Sequence, residues 1–162
     1  MLKVASYDIV FQEIPGEVTL ALNLSGCPCH CPGCHSKHLW EDIGEELNTD
    51  LLDALVHQYE GLITCVCFMG GDQDPQEVHR LAEHIKQLPI KVAWYSGRPA
   101  TPDTFNQSAP FNFQLSTFNY IKFGPYIESL GGLKSPATNQ RLYQKTDDGW
   151  EDITSSFWKK NL

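Results

Sequence analysis

The chain has 162 residues, with 12 Lys+Arg against 20 Asp+Glu, for a net charge of −8. With 41% hydrophobic and 20% charged residues it reads as one soluble globular domain, and its acidic balance argues against a nucleic-acid partner. No apolar run is long enough to cross a bilayer, and the first 16 residues show neither an apolar core nor a cleavage site, so a cytoplasmic protein with no membrane attachment is expected.

Residues 1–24 read as two strands around Pro15-Gly16, and the second, 17–24, is rich in apolar β-formers. A cysteine loop follows at 25–38. The spacing of Leu51, Leu52, Leu55, Val56 and Tyr59 predicts a helix over 49–59. Residues 62–69 form a continuous apolar run, as in a strand buried on both faces, and Gly70-Gly71 ends it. Asp74 is placed to cap a helix with Pro75 at its first position and Glu77 at its third. Val78, Leu81, Ala82, Ile85 and Leu88 make its apolar stripe, and Pro89 stops it.

The next strand is expected at 90–96, ending at Gly97. A short helix is expected near 102–106, a further strand at 118–123 and a hairpin at 141–154 around Asp148-Gly149. Alternating strands and helices imply an α/β fold with a largely parallel sheet. A full eight-unit barrel needs about 250 residues. The expectation is therefore a partial, open (β/α) barrel. In such a fold the C-terminal strand ends share one face. That would gather the cysteine loop, Gly70-Gly71-Asp72, Tyr95-Ser96-Gly97 and Lys122-Phe123-Gly124-Pro125.

Six cysteines are present: Cys27, Cys29, Cys31, Cys34, Cys65 and Cys67. Four fall within eight residues, too close to pair with one another easily, which favours a metal or iron–sulfur site over disulfides. Cys27, Cys31 and Cys34 form C-x3-C-x2-C, and thiolates are the usual ligands of iron–sulfur clusters. Three cysteines on a four-iron cluster leave one iron open to another ligand. Cys29 is an extra thiol inside the loop, and spacing alone leaves open its replacing Cys31. Zinc held with Cys65 and Cys67 as a second pair is a competing reading, although a Cys-x-Cys pair within an apolar strand makes a poor knuckle. Cys65 and Cys67 read more simply as core thiols. His30 and His38 read as loop or surface residues, and His57, His79 and His84 as solvated helix faces.

C-x3-C-x2-C after the first strand of the strand–helix series resembles the signature of radical S-adenosylmethionine (SAM) enzymes. The loop from Gly26 to Trp40, with Cys31-Pro-Gly-Cys34 at its core and Trp40 six residues beyond the last Cys, is similar to that of the activating proteins of anaerobic ribonucleoside-triphosphate reductase. Gly70-Gly71-Asp72, Tyr95-Ser96-Gly97, Gly124-Pro125-Tyr126 and Asn139-Gln140-Arg141 resemble further motifs of that family. The likeness covers about residues 17–143.

The resemblance implies one radical SAM domain over 1–162, with its core at about 17–126 and a hairpin extension at about 127–162. Cys27, Cys31 and Cys34 would hold a [4Fe–4S] cluster, whose open iron chelates SAM. Gly33, Cys34 and His35 would contact the nucleoside side. Gly70 and Gly71 would admit the methionine amino group. Asp72 would complement its charge or anchor the turn, and Ser96 and Lys122 would touch ribose or carboxylate. The implied reaction cleaves SAM reductively to methionine and a 5′-deoxyadenosyl radical, which takes a hydrogen atom from a glycine near the C-terminus of the reductase large subunit. The cluster and SAM would carry the chemistry, with no protein side chain as catalyst and a flavodoxin-like electron donor. The family often has an acidic residue just before Gly-Pro; here Phe123 stands there, preceded by Lys122. Two other functions stay open: a small-molecule radical SAM enzyme resembling 7-carboxy-7-deazaguanine synthase, and a non-catalytic metal-binding module.

Overall fold

The computed structural model describes residues 1–31, 33–34, 37–109 and 113–158. The chain builds one mixed sheet from β1 (Leu2–Val10), β2 (Thr19–Leu24), β3 (Glu45–Leu47), β4 (Cys65–Met69), β5 (Lys91–Tyr95), β6 (Tyr120–Phe123), β7 (Arg141–Thr146) and β8 (Gly149–Asp152). Among the described residues three α-helices lie between strands: α1 (Thr49–Gln58), α2 (Pro75–Ile85) and α3 (Pro102–Ser108). The order across the sheet is β3-β1-β2-β4-β5-β6-β7-β8.

The central strands β2, β4, β5 and β6 run parallel, and β4, β5 and β6 are each reached through a crossover that carries a helix. The outer pairings, β1 with β2 and β3 and β7 with β6 and β8, are antiparallel. A largely parallel sheet is thus corrected to a mixed one with a parallel centre. For β1–β2 and β7–β8 the reason is connection length, since both return through links too short for a crossover. The β7–β8 turn is Asp147-Asp148, since Thr146 pairs with Gly149.

Capping follows the sequence closely. Asn48 accepts from Leu51 N to start α1, and Asp74 accepts from Glu77 N, with Pro75 opening α2. Thr101 and Thr104 close a reciprocal capping box on α3. α2 stops at Ile85 with Lys86 as cap, so Leu88 leaves the expected stripe and is partly exposed. β3 has only three residues, two of them Glu, and carries no sequence signal beyond the buried Leu47.

β4 shows why both sheet faces are dry. Val66 and Phe68 point to the helix-covered side, where Val78, Leu81 and Ile85 of α2 meet Leu20, Leu22, Val92 and Trp94. Trp94 also packs among Phe105, Phe118 and Phe123, with centroids 5.7–6.4 Å away. Cys65 and Cys67 point the other way, into a smaller core with Ile14, Ala93, Tyr120 and Leu142. Both thiols are fully buried, and burial pushes the Cys65 pKa up to about 12.

His79 departs from expectation. Its ring packs on Phe113 at 4.7 Å, and Nε2 lies 3.2 Å from the Thr117 hydroxyl, so it is a packed side chain and not a solvated one. Burial lowers its pKa. No helix among the described residues is long and apolar enough to cross a membrane.

Candidate functional site

The cysteine loop leaves β2 at Leu24 and is tied at its stem. Ser25 Oγ donates to Ile43 O at 2.5 Å, Gly26 N to Glu41 O at 3.0 Å and Cys27 N to Leu39 O at 2.9 Å. Past the stem the chain turns tightly. His30 has φ +43, and its ring stacks on Trp40 at 4.6 Å. Gly33 has φ +76 within the turn that Cys34 N closes onto Cys31 O at 3.1 Å.

Cys27, Cys29, Cys31 and Cys34 are half-buried, and all four line one cavity of about 250 Å³. The cavity lies at the C-terminal ends of the parallel strands. Gly70 and Asp72 after β4, Gly97 after β5, and Lys122 and Gly124 at the end of β6 form its other walls, with Trp40, Tyr126 and Gln140 at its margin.

The glycines after β4 do two different things. Gly70 donates its N–H to Tyr95 O at 2.9 Å and accepts from Trp94 Nε1 at 2.8 Å, so its backbone is fixed at the cavity wall. Gly71 has φ +88, and a Cβ there would sit 2.6 Å from Val78 Cγ2. It is a packing glycine that faces α2, not the cavity.

Asp72 is held on several sides. Its carboxylate accepts from Ser96 Oγ at 2.6 Å, Gly97 N at 2.9 Å and Arg98 Nε at 3.2 Å, while Arg98 Nη2 donates to its backbone carbonyl at 3.0 Å. Ser96 is fully buried and turns its hydroxyl to this carboxylate. Arg98 carries no motif of its own and went unnoticed in the sequence; its position just after Tyr95-Ser96-Gly97 was the available signal. The Cys29 thiol faces the same carboxylate, with Sγ 3.8 Å from Oδ2. Burial first, and then the Asp72 charge, push its pKa up to about 12.

Lys122 is a buried cation at the cavity wall. Nζ donates to the backbone carbonyls of Ser96 at 3.1 Å and Gly124 at 3.0 Å. Burial lowers its pKa, against the opposing pull of Asp72. Gln140 donates to Gly124 O at 3.4 Å and Asn139 to Pro125 O at 3.0 Å, so this segment buttresses the end of β6. Arg141 instead pairs with Asp152 on β8 at 2.7 Å. His35 lies outside the described residues.

Among the described residues, no three His, Cys, Asp or Glu side chains are gathered as a single metal ion would need. An iron–sulfur cluster spreads its thiolates over several irons and suits a wider set. The donors fit that group. They are all sulfur, half shielded from water, and beside a buried cation that offsets thiolate charge. Cys65 and Cys67 line no part of the cavity, so they offer no second knuckle to a zinc ion there.

Comparison with known families agrees with this donor chemistry. A family model described as a 4Fe-4S single cluster domain matches residues 15–110, more than half of the chain and the whole cysteine loop. The protein is therefore an iron–sulfur protein. It belongs to the 4Fe-4S single cluster domain family. No curated protein and no solved structure matches the chain.

Proposed function

We propose that the protein is a radical SAM activase that generates the glycyl radical of an anaerobic ribonucleoside-triphosphate reductase. One observation carries the reading. Cys27, Cys31 and Cys34 share a single cavity with Gly70, Asp72 and Lys122, residues drawn from the ends of successive parallel strands. The parallel centre is read as a partial, open (β/α) barrel of the radical SAM type, with the mixed outer strands as additions to it.

In this reading Cys27, Cys31 and Cys34 hold a [4Fe–4S] cluster beside the SAM site. When bound and reduced, that group would supply the one-electron reduction of SAM on which hydrogen abstraction from the reductase glycine depends. The chain's own residues position and shield. Gly70, with its backbone fixed and no side chain, lets a ligand lie against the β4 edge. Asp72 spends its carboxylate on Ser96, Gly97 and Arg98, which favours the role of turn anchor over that of direct partner for an amino group. Lys122 offers a desolvated positive charge to a ligand carboxylate. Gly33, Cys34 and His35 stay assigned to the nucleoside side. The electron donor is expected to be flavodoxin-like and the site of action cytoplasmic.

The test is anaerobic reconstitution with iron and sulfide, reduction and addition of SAM. 5′-Deoxyadenosine should form, and the cognate reductase should acquire a glycyl-radical EPR doublet. SAM cleavage without that doublet moves the assignment to a small-molecule radical SAM enzyme. An intact SAM pool moves it to a non-catalytic iron–sulfur module.

A further inference from the structure

Cys29 stands midway between two of the proposed cluster ligands, yet its sulfur has its own seat. A Cβ built on Gly97 would lie only 2.7 Å from Cys29 Sγ, so the sulfur rests where any other residue would place a side chain. Its second neighbour is the Asp72 carboxylate at 3.8 Å, where the S–H donates. That carboxylate is among the most firmly held groups in the cavity wall, with bonds from Ser96, Gly97 and Arg98. The loop stem is pinned through Gly26 and Cys27 to Glu41 and Leu39, and Gln73 Nε2 donates to Ser25 O at 2.8 Å. Cys29 thus ties the distal loop to the β4 and β5 turns.

We propose that Cys29 is a positioning residue, a latch that seats the cysteine loop on Gly97 and Asp72 and so sets where the sulfurs of Cys27, Cys31 and Cys34 stand. The inference rests on the reading of those three as the ligands. It gives Gly97 a purpose that a turn alone does not require: the position must lack a side chain for the latch to close. It also gives Arg98 one, since Arg98 holds the carboxylate that the latch faces.

The experiment compares wild type, Cys29→Ala, Cys29→Ser, Gly97→Ala and the Cys29→Ala/Gly97→Ala double variant, each reconstituted anaerobically. Iron per chain, amide hydrogen exchange across residues 26–34, the EPR signal of the reduced cluster, and KM and kcat for SAM are measured. Cys29→Ala should keep wild-type iron, while loop exchange accelerates about tenfold as the tie to the sheet is lost. KM should rise about fivefold with kcat within about twofold, the pattern of a displaced binding loop. Cys29→Ser should recover most of both effects, because its hydroxyl donates to Asp72. Gly97→Ala should match Cys29→Ala and add nothing on top of it, as expected when two substitutions break one contact.

Iron loss in Cys29→Ala equal to that in Cys31→Ala would make Cys29 a ligand and overturn the proposal. Unchanged loop exchange in Cys29→Ala would overturn it as well. Failure of wild type to take up a cluster would refute the ligand reading alone, because the exchange cycle between Cys29 and Gly97 decides the latch without it.

Discussion

At the N-terminal edge of the four parallel strands, Glu17 gathers Thr64, Lys91 and Tyr120 at 2.8–2.9 Å. At the C-terminal edge, Asp72 gathers Ser96, Gly97 and Arg98 at 2.6–3.2 Å. Both are buried carboxylates that tie neighbouring strand ends together, and each is satisfied by donors from other elements. The difference lies in what surrounds them. Around Glu17 the two core thiols are sealed in, and the cluster closes on itself. Around Asp72 stand four half-buried thiols, and a buried ammonium whose acceptors are two neutral carbonyls. One edge uses its polar network to fix strand register. The other uses the same device to hold a wall that still has charge and sulfur to offer a guest.

That contrast can be broken experimentally. The largest effect belongs to Cys27→Ala, Cys31→Ala or Cys34→Ala, each expected to abolish cluster retention and SAM cleavage while the chain stays folded; iron analysis beside circular dichroism reads both. Next comes Asp72→Ala, which leaves Arg98 Nε, Gly97 N and the buried Ser96 hydroxyl without their acceptor. It should cost about 2–4 kcal/mol in urea unfolding and also lower iron content.

Glu17→Gln should cost about 1–3 kcal/mol and leave iron content unchanged, which separates the two edges directly. Its pH dependence has a defined sign. Burial acts to raise the Glu17 pKa, but hydrogen bonds from Lys91, Thr64 and Tyr120 outweigh it and hold the group below its ordinary value. The stabilisation is therefore complete above the unfolded carboxylate value of about 4.3 and is lost as pH falls through the lower folded value. Urea midpoints of wild type and Glu17→Gln should converge over that acidic range. The smallest effect is expected from Lys91→Met, below about 1 kcal/mol, because the Lys91 side chain is 49% exposed.

Much of the central scaffold was legible in the sequence. Asp74-Pro75 with Glu77, the stripe from Val78 to Ile85 and the apolar run ending at Gly70-Gly71 each encode local structure through capping, periodicity or burial. β3 was not legible, because Glu45–Leu47 is held by pairing with β1 and not by its own propensity. The β7–β8 hairpin was legible, but the antiparallel pairing of β7 with β6 and of β1 with β3 was not, because strand direction is a property of neighbours. Spacing singled out Cys27, Cys31 and Cys34 and left Cys29 as an extra thiol; the cavity is lined by all four. The strand order brings Asp72 beside Ser96 and Gly97, but the bonds they make with its carboxylate, and the part of Arg98, were not legible across 24 to 26 residues. His79 was misjudged because α2 packs partly against residues 113–117, beyond the reach of helical periodicity.

The paired sulfurs of β4 have a practical use. Cys65 and Cys67 alternate with Val66 and Phe68 and face a dry interior, where burial holds both in the protonated form. Alkylating reagents should therefore pass over them for as long as the sheet persists. Their delayed labelling would act as a built-in clock for opening of the sheet, read on the same sample whose remaining cysteines report on the loop.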